Sequence, residues 1–302
     1  SQRSTRGWRL GSSVADPRTG EIIKGNVSLG SLRIRQDFMI ALGLTEAPFE
    51  AGNDKSEQAL ELALARIRQL SAHEIGHTLG FAHNFAASVK ERSSVMDYPH
   101  PYLNIKNGKI DYSEAYETGI GSWDKVSVAY AYSDFPEGTN ETEALNQLLE
   151  QSSRDGHRFI SDRDARPIGG AHPLAHLWDN GSSAYEELSK LMQIRALALE
   201  HLSLDHLREG EAYSTLEDRM VPMYLLHRYQ VEAVVKLIGG VDYDYGVKGP
   251  IAYATSTVDA TTQRNALKAF SSTLAPEALK IPEHLRALLP PRSFSNPRTR
   301  EN

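Results

Sequence analysis

Between residues 73 and 83 the chain reads His73-Glu74-Ile75-Gly76-His77-Thr78-Leu79-Gly80-Phe81-Ala82-His83, three imidazoles and a carboxylate at H-E-x-x-H-x-x-G-x-x-H spacing. Neutral imidazoles are good ligands for zinc, and this spacing has a mechanical reason. Residues four apart on a helix lie one above the other, so His73 and His77 can converge on one ion. Glu74 follows the first ligand and is placed to take a proton from a water at the metal. A third ligand farther along the same helix would point away from the ion. Gly80 resolves this, because glycine accepts the left-handed conformation that ends a helix and turns the chain back. His83 can then complete a three-nitrogen site with a fourth position left open, as catalytic zinc requires and structural zinc does not.

The motif needs a rigid platform. Asp54, with Glu57 three positions on, is expected to start a helix with a capping box, and that helix is expected to run from about Lys55 to Leu79. Leu60, Leu64, Ile67 and Leu70 recur at helical spacing and are expected to form its core side. Ahead of it, Leu32 to Leu42 reads as a short helix. Before that, two strands, Ser13–Ala15 and Glu21–Leu29, are joined by the turn Asp16-Pro17-Arg18-Thr19-Gly20. Ile23, Val27 and Leu29 are expected to share a face.

Downstream of the histidines comes Ser94-Val95-Met96-Asp97-Tyr98-Pro99. With this segment the sequence resembles the metzincins, zinc endopeptidases defined by the long histidine motif and a methionine turn beneath the metal. The resemblance implies that Met96 lays a soft apolar floor under the imidazoles without being a ligand. The S-x-M-x-Y form is similar to the turn of astacins and serralysins, which implies that Tyr98 approaches the zinc and donates to the developing oxyanion. Asp16 to Ile22, His83-Asn84-Phe85, Gly121-Ser122-Trp123-Asp124-Lys125 and His227-Arg228-Tyr229-Gln230 extend a looser likeness to a family of large bacterial zinc-dependent metalloproteases. The implied fold is α+β and helix-rich, with a zinc helix and methionine turn, a reduced N-terminal sheet and a mainly α-helical C-terminal part. A metzincin domain normally carries four or five strands ahead of its zinc helix, and only two are legible here. The implied cofactor is Zn2+, and the implied substrate a peptide or protein laid along a sheet edge. The implied compartment is periplasmic or secreted.

Composition narrows the alternatives. At 302 residues, 40% hydrophobic and 24% charged, the chain can bury a sizeable core. A net charge of −6 offers no global basic field for nucleic acid. There are no cysteines, so disulfides and thiolate ligands are excluded. No run of about 18 apolar residues marks a transmembrane segment. The chain opens Ser1-Gln2-Arg3, which reads as a portion of a longer protein with an upstream domain. The other reading of the motif is a zinc-stabilised helical binding or scaffold fragment without turnover. An intact Glu74 speaks against it and the short sheet for it.

The remaining organisation reads as follows. Residues 1–12 are a polar linker or tag, 13–132 the catalytic core, 133–289 a helical C-terminal part, and 290–302 a polar tail. Asn107-Gly108 signals a hairpin turn. Helical patterns cover Trp123–Tyr132, about 142–154, Ser183–Leu204, Leu216–Ile238 ending at Gly239-Gly240, about 259–273 and 283–289. His172 and His176 repeat the four-residue spacing, but Pro173 lies between them and no Glu follows the first, which favours a structural role. His227, among Tyr224, Leu225 and Val231, reads as a core or interface residue.

Overall fold

The computed structural model describes residues 10–249 and 254–297. Strands β1 (Leu10–Ala15) and β2 (Ile22–Ser28) pair antiparallel, with a bulge at Val14/Ala15. The Asp16–Gly20 turn forms as its composition requires, Gly20 taking φ +77°. β1 begins at Leu10, so residues 10–12 belong to the hairpin and not to a linker; residues 1–9 lie outside the described part. The expected shared face of Ile23, Val27 and Leu29 is not buried. β2 is exposed throughout, with Ile23 at 67%. The hairpin reaches the histidine-bearing helix through glycine instead. A Cβ on Gly11 would overlap the Glu74 carbonyl oxygen, and one on Gly25 would lie 3.2 Å from Thr78 Cβ.

Helix α1 (Ser31–Leu44) leads through the small ladder of β3 (Phe49–Glu50) and β4 (Asn53–Asp54) into α2 (Ser56–Thr78). The capping box does not form. Asp54 ends β4 and accepts the Ser56 amide at 2.8 Å as a turn residue, while Lys55 occupies the cap position without a side-chain bond. The buried stripe of α2 is Ala59, Leu62, Ala63, Arg66, Gln69, Leu70 and His73. Of the expected core residues only Leu70 is fully buried; Ile67 is half-buried, and Leu60 and Leu64 are 44% and 42% exposed. Hydropathy misplaces the stripe because two of its members, Arg66 and Gln69, are polar and are satisfied by tertiary partners.

β5 (Asn104–Lys106) and β6 (Lys109–Asp111) form the expected hairpin; Asn107 and Gly108 have φ +52° and +74°, as a two-residue primed turn demands. The helices that follow are α3 (Ser122–Tyr132), α4 (Glu141–Arg154), the single turn α5 (Asp162–Ala165) and α6 (Ala184–His201). The expected helix over 216–238 is two helices, α7 (Glu217–Tyr224) and α8 (Arg228–Val235). Pro222 lies inside α7 and has no N–H for the ladder, and the helix ends two residues later. β7 (Val241–Asp242) pairs with β8 (Ser256–Thr257), and α9 (Ala260–Ser272), α10 (Pro276–Leu279) and α11 (Glu283–Ala287) close the described chain. Strands pair only two at a time among the described residues.

The largest core joins α1, α2, α6 and α7 through Leu42, Leu62, Leu191, Ile194, Leu216 and Met223. Each fully buried Leu, Ile or Met contributes about 1.5–3 kcal/mol. A second core joins α6, α8 and α9 through Leu188, Val234 and Ala266. A third, small core of Phe85, Ala86, Ile160, Ala165 and Ala175 has Tyr98 packed against it and supports the histidine site. No described helix is long and apolar enough to cross a membrane.

Candidate metal centre

Helix α2 ends as a Schellman motif: Phe81 N–H donates to Gly76 C=O and Gly80 N–H to His77 C=O, both at 3.1 Å, with Gly80 at φ +89°. The reversal carries His83 back over the helix. Ring nitrogens of His73, His77 and His83 then all lie within 4.8 Å of one another, and no other such group of His, Cys, Asp or Glu exists among the described residues.

Each ring is held by its other nitrogen. His73 Nδ1 donates to Val95 C=O at 2.7 Å, His77 Nδ1 to Phe81 C=O at 2.9 Å and His83 Nδ1 to Asp162 Oδ2 at 2.7 Å. A carbonyl can only accept, so the protons sit on Nδ1 and the Nε2 lone pairs face inward. His77 Nε2 and His83 Nε2 stand 3.1 Å apart. Two lone pairs at that distance repel unless a cation lies between them, which is the condition a bound zinc meets. Burial also pushes the His73 imidazole down to about 3 and holds His83 below its ordinary value against the pull of Asp162, so both are in the neutral, ligating form. The donor set therefore fits zinc.

The methionine turn builds the floor. A Cβ on Gly76 would overlap Met96 Sδ, so the buried Met96 lies directly against the helix between Glu74 and His77. The turn is tied down from three sides. Asp124, buried at the start of α3, accepts from Ser94 Oγ at 2.6 Å and from the amides of Val95 and Gly121 at 2.8 and 2.7 Å. Ser94 Oγ accepts the Met96 amide at 2.9 Å. Asn84, fully buried, donates its amide N–H to Met96 C=O at 3.1 Å and its side chain to Arg158 C=O at 2.8 Å. Gln69 Nε2 shares Val95 C=O with His73.

Tyr98 stands beside the histidines, its ring centroid 5.3 Å from His73 and 4.8 Å from His83. Its hydroxyl accepts from Arg166 at 3.0 Å. Arg166 also binds Asp162, the carboxylate that orients His83. Burial raises the Asp162 pKa, but hydrogen bonds from Arg166 and His83 outweigh it and hold the group below the usual carboxylate range. Glu74 is buried at 5% exposure. No described side chain donates to its carboxylate.

Asp162, Arg166, Asn84 and Asp124 escape the motif reading. Asn84 and Asp124 lie in the loosely matching segments His83–Phe85 and Gly121–Lys125, which was the available signal; Asp162 and Arg166 had none. The second histidine pair stays structural: His172 Nε2 donates to Tyr243 C=O at 2.8 Å, and His176 lies 3.3 Å from Glu232. His227 is half-buried next to the α7–α8 break.

No curated protein and no solved structure matches the chain. A family model described as Met-zincin matches residues 55–301, from the start of the zinc helix to the C-terminal end. The histidine triad, the glycine reversal and the methionine floor are thus those of a family member, and the chain belongs to the Met-zincin family.

Proposed function

We propose that this protein is a zinc-dependent endopeptidase, with His73, His77 and His83 as ligands, Glu74 as general base and Tyr98 as oxyanion donor. The carrying observation is the convergence of three anchored imidazoles on one helix end with a buried, unclaimed carboxylate at the neighbouring position. Zinc bound there would supply a Lewis acid for the scissile carbonyl and lower the pKa of a water. The chain's own groups do the rest. Glu74 accepts the proton of the attacking water and passes it to the leaving amine. Arg166 donates to the Tyr98 oxygen, so the phenol proton is left to point at the carbonyl oxygen that gains charge. Met96 and Asn84 keep the floor from moving during the step.

The substrate is read as a peptide or protein in extended form, met in the periplasm or outside the cell. The β1–β2 hairpin, held on α2 by Gly11 and Gly25, is the edge on which it would pair. Two strands alone are marginal, and further strands from an upstream domain of the parent protein would support that edge.

The test is Glu74→Gln. It should retain zinc and lose cleavage of unfolded protein by roughly 10²–10⁴-fold. Equal activity would rule out the general base. The scaffold reading, favoured by the exposed two-stranded hairpin, expects chelation to lower stability while no cleavage is seen with or without zinc.

A further inference from the structure

Trp178 sits on a backbone that suits another residue. Among the described residues five non-glycines take a positive φ, and Trp178, at φ +66°, is the one aromatic among them. The left-handed region costs glycine nothing and Asn little, whereas a bulky residue there is strained. Burial does not call for it, since Trp178 is only half-buried. Strain of this kind persists where the surroundings impose it, and it gathers at functional sites.

The constraint comes from two directions. Trp178 N–H donates to Tyr98 C=O at 2.8 Å, and the indole packs on the Tyr98 ring with centroids 5.1 Å apart and planes tilted by 35°. Two residues on, Asn180 is locked in place. Its Nδ2 donates to His100 C=O at 2.9 Å, and its N–H donates to Gln230 Oε1 at 3.2 Å. Gln230 Nε2 in turn donates to Ala184 C=O at 3.1 Å and to Asn180 C=O at 3.4 Å. Asn180 and Gln230 are each 1% exposed. Tyr229, beside Gln230 in α8, brings its ring centroid to 6.0 Å from the indole, within the range of packed aromatic pairs. The segment His227-Arg228-Tyr229-Gln230, loosely alike to large bacterial metalloproteases and so far without a task, thus anchors Trp178 through two of its residues.

Tyr98 is consequently held along its whole length. Trp178 takes its carbonyl and packs on its ring, Phe85 meets the ring edge-on at 5.4 Å, and Arg166 donates to its hydroxyl at 3.0 Å. A glycine at 178 would make the same backbone bond without strain, so what the strained residue adds is the indole. We propose that Trp178 is a positioning residue for Tyr98: its ring fixes where the phenol hydroxyl stands, and Tyr229 and Gln230 carry that placement from α8 to the histidine site. Its consequence for catalysis rests on the reading of Tyr98 as oxyanion donor; the placement itself does not. A donor that must meet developing charge at hydrogen-bond distance loses about 10²-fold in rate when displaced by about 1 Å.

A fluorinated tyrosine placed at position 98 of the zinc-loaded protein reports on the phenol ring by fluorine NMR. Removing an indole shifts the resonance whatever the ring does, so the line width, which reads ring mobility, is the measurement. Trp178→Asn accepts the left-handed backbone and removes the ring, and its line should narrow. Trp178→Phe should keep the parent's width. An unchanged width in Trp178→Asn would overturn the proposal. Should that variant fail to fold, Tyr229→Leu decides in its place, with a smaller narrowing expected and an unchanged line counting against. With unfolded protein as substrate, Trp178→Asn should lower kcat about 10–100-fold with KM within about twofold, and Trp178→Phe should recover most of the loss. In a Tyr98→Phe background the same substitution should cost less than about twofold, because the hydroxyl that it places is gone. Equal losses in both backgrounds would show that Trp178 acts through the fold at large, and would overturn the proposal. A parent without peptidase activity would defeat the endopeptidase reading and leave the fluorine signal to decide this one. A parent that cleaves, with a signal indifferent to Trp178, would do the reverse.

Discussion

Gly76 lies between Glu74 and His77, and the Met96 thioether occupies the space where a side chain would go. Gly76→Ala therefore opposes two effects of known sign. In a helix interior alanine is favoured over glycine by about 1 kcal/mol. Against this, the new Cβ would fall closer than 3.0 Å to Met96 Sδ, a separation real Cβ atoms do not show, with Cε and Cγ at 3.3 and 3.6 Å. Met96 is 2% exposed, so its displaced sulfur has no solvent to move into. Overpacking of this kind costs about 1–3 kcal/mol, and an overlap this deep belongs at the upper end. The expected net loss is about 2 kcal/mol, or roughly 3 °C in Tm for a chain of this length. The decisive assay is a double-mutant cycle by calorimetry at fixed zinc. In a Met96→Ala background the clash is gone, and Gly76→Ala should stabilise by about 1 kcal/mol. The coupling between the two sites is then about 3 kcal/mol. Equal effects of Gly76→Ala in both backgrounds would show that the methionine does not rest on this glycine, and the floor as described would be wrong.

Other outcomes follow from the same geometry. Gly80→Val forces a β-branched residue to φ +89° and should weaken zinc binding about tenfold in a chelator competition, since the left-handed region costs about 1–2 kcal/mol; unchanged affinity would mean the reversal is not what presents His83. Asp162→Asn removes the carboxylate from His83 Nδ1 and should lower zinc affinity about 10–100-fold, with unchanged affinity counting against its orienting role. Burial holds His206 down to about 4, with Arg219 acting in the same direction and the Asp205 carboxylate and the Thr45 and Ser203 backbone against it. A depressed histidine contributes stability that is complete above the unfolded value of about 6.5 and is lost as pH falls toward about 4, on the order of 3 kcal/mol. Urea unfolding between those limits should therefore be flatter in His206→Asn than in the parent; parallel curves would refute the assignment.

The clustering of the three histidines is legible in the sequence because its geometry is local. The i, i+4 pair, the glycine at the helix end and the third histidine lie within eleven consecutive residues, and backbone rules alone bring them together. The same holds for the Asn107-Gly108 hairpin and for the existence of most helices. The buried side of α2 was not legible, because Arg66 and Gln69 face inward for partners that sequence periodicity cannot see, one of them the Val95 carbonyl. Nor does helical periodicity show the break between α7 and α8, although Pro222 marks it.

By itself, then, the sequence determined that three histidines group at one helix end beside Glu74, since that depends on residue type and on spacing within a helix and its cap. Tertiary structure decided what holds that chemistry still: Asp162 on His83 across 79 residues, Asn84 and Asp124 on the methionine turn, and Arg166 on Tyr98. Side chains so distant along the chain meet only after the cores around α2 and α6 have packed, and no local propensity encodes a meeting that packing creates.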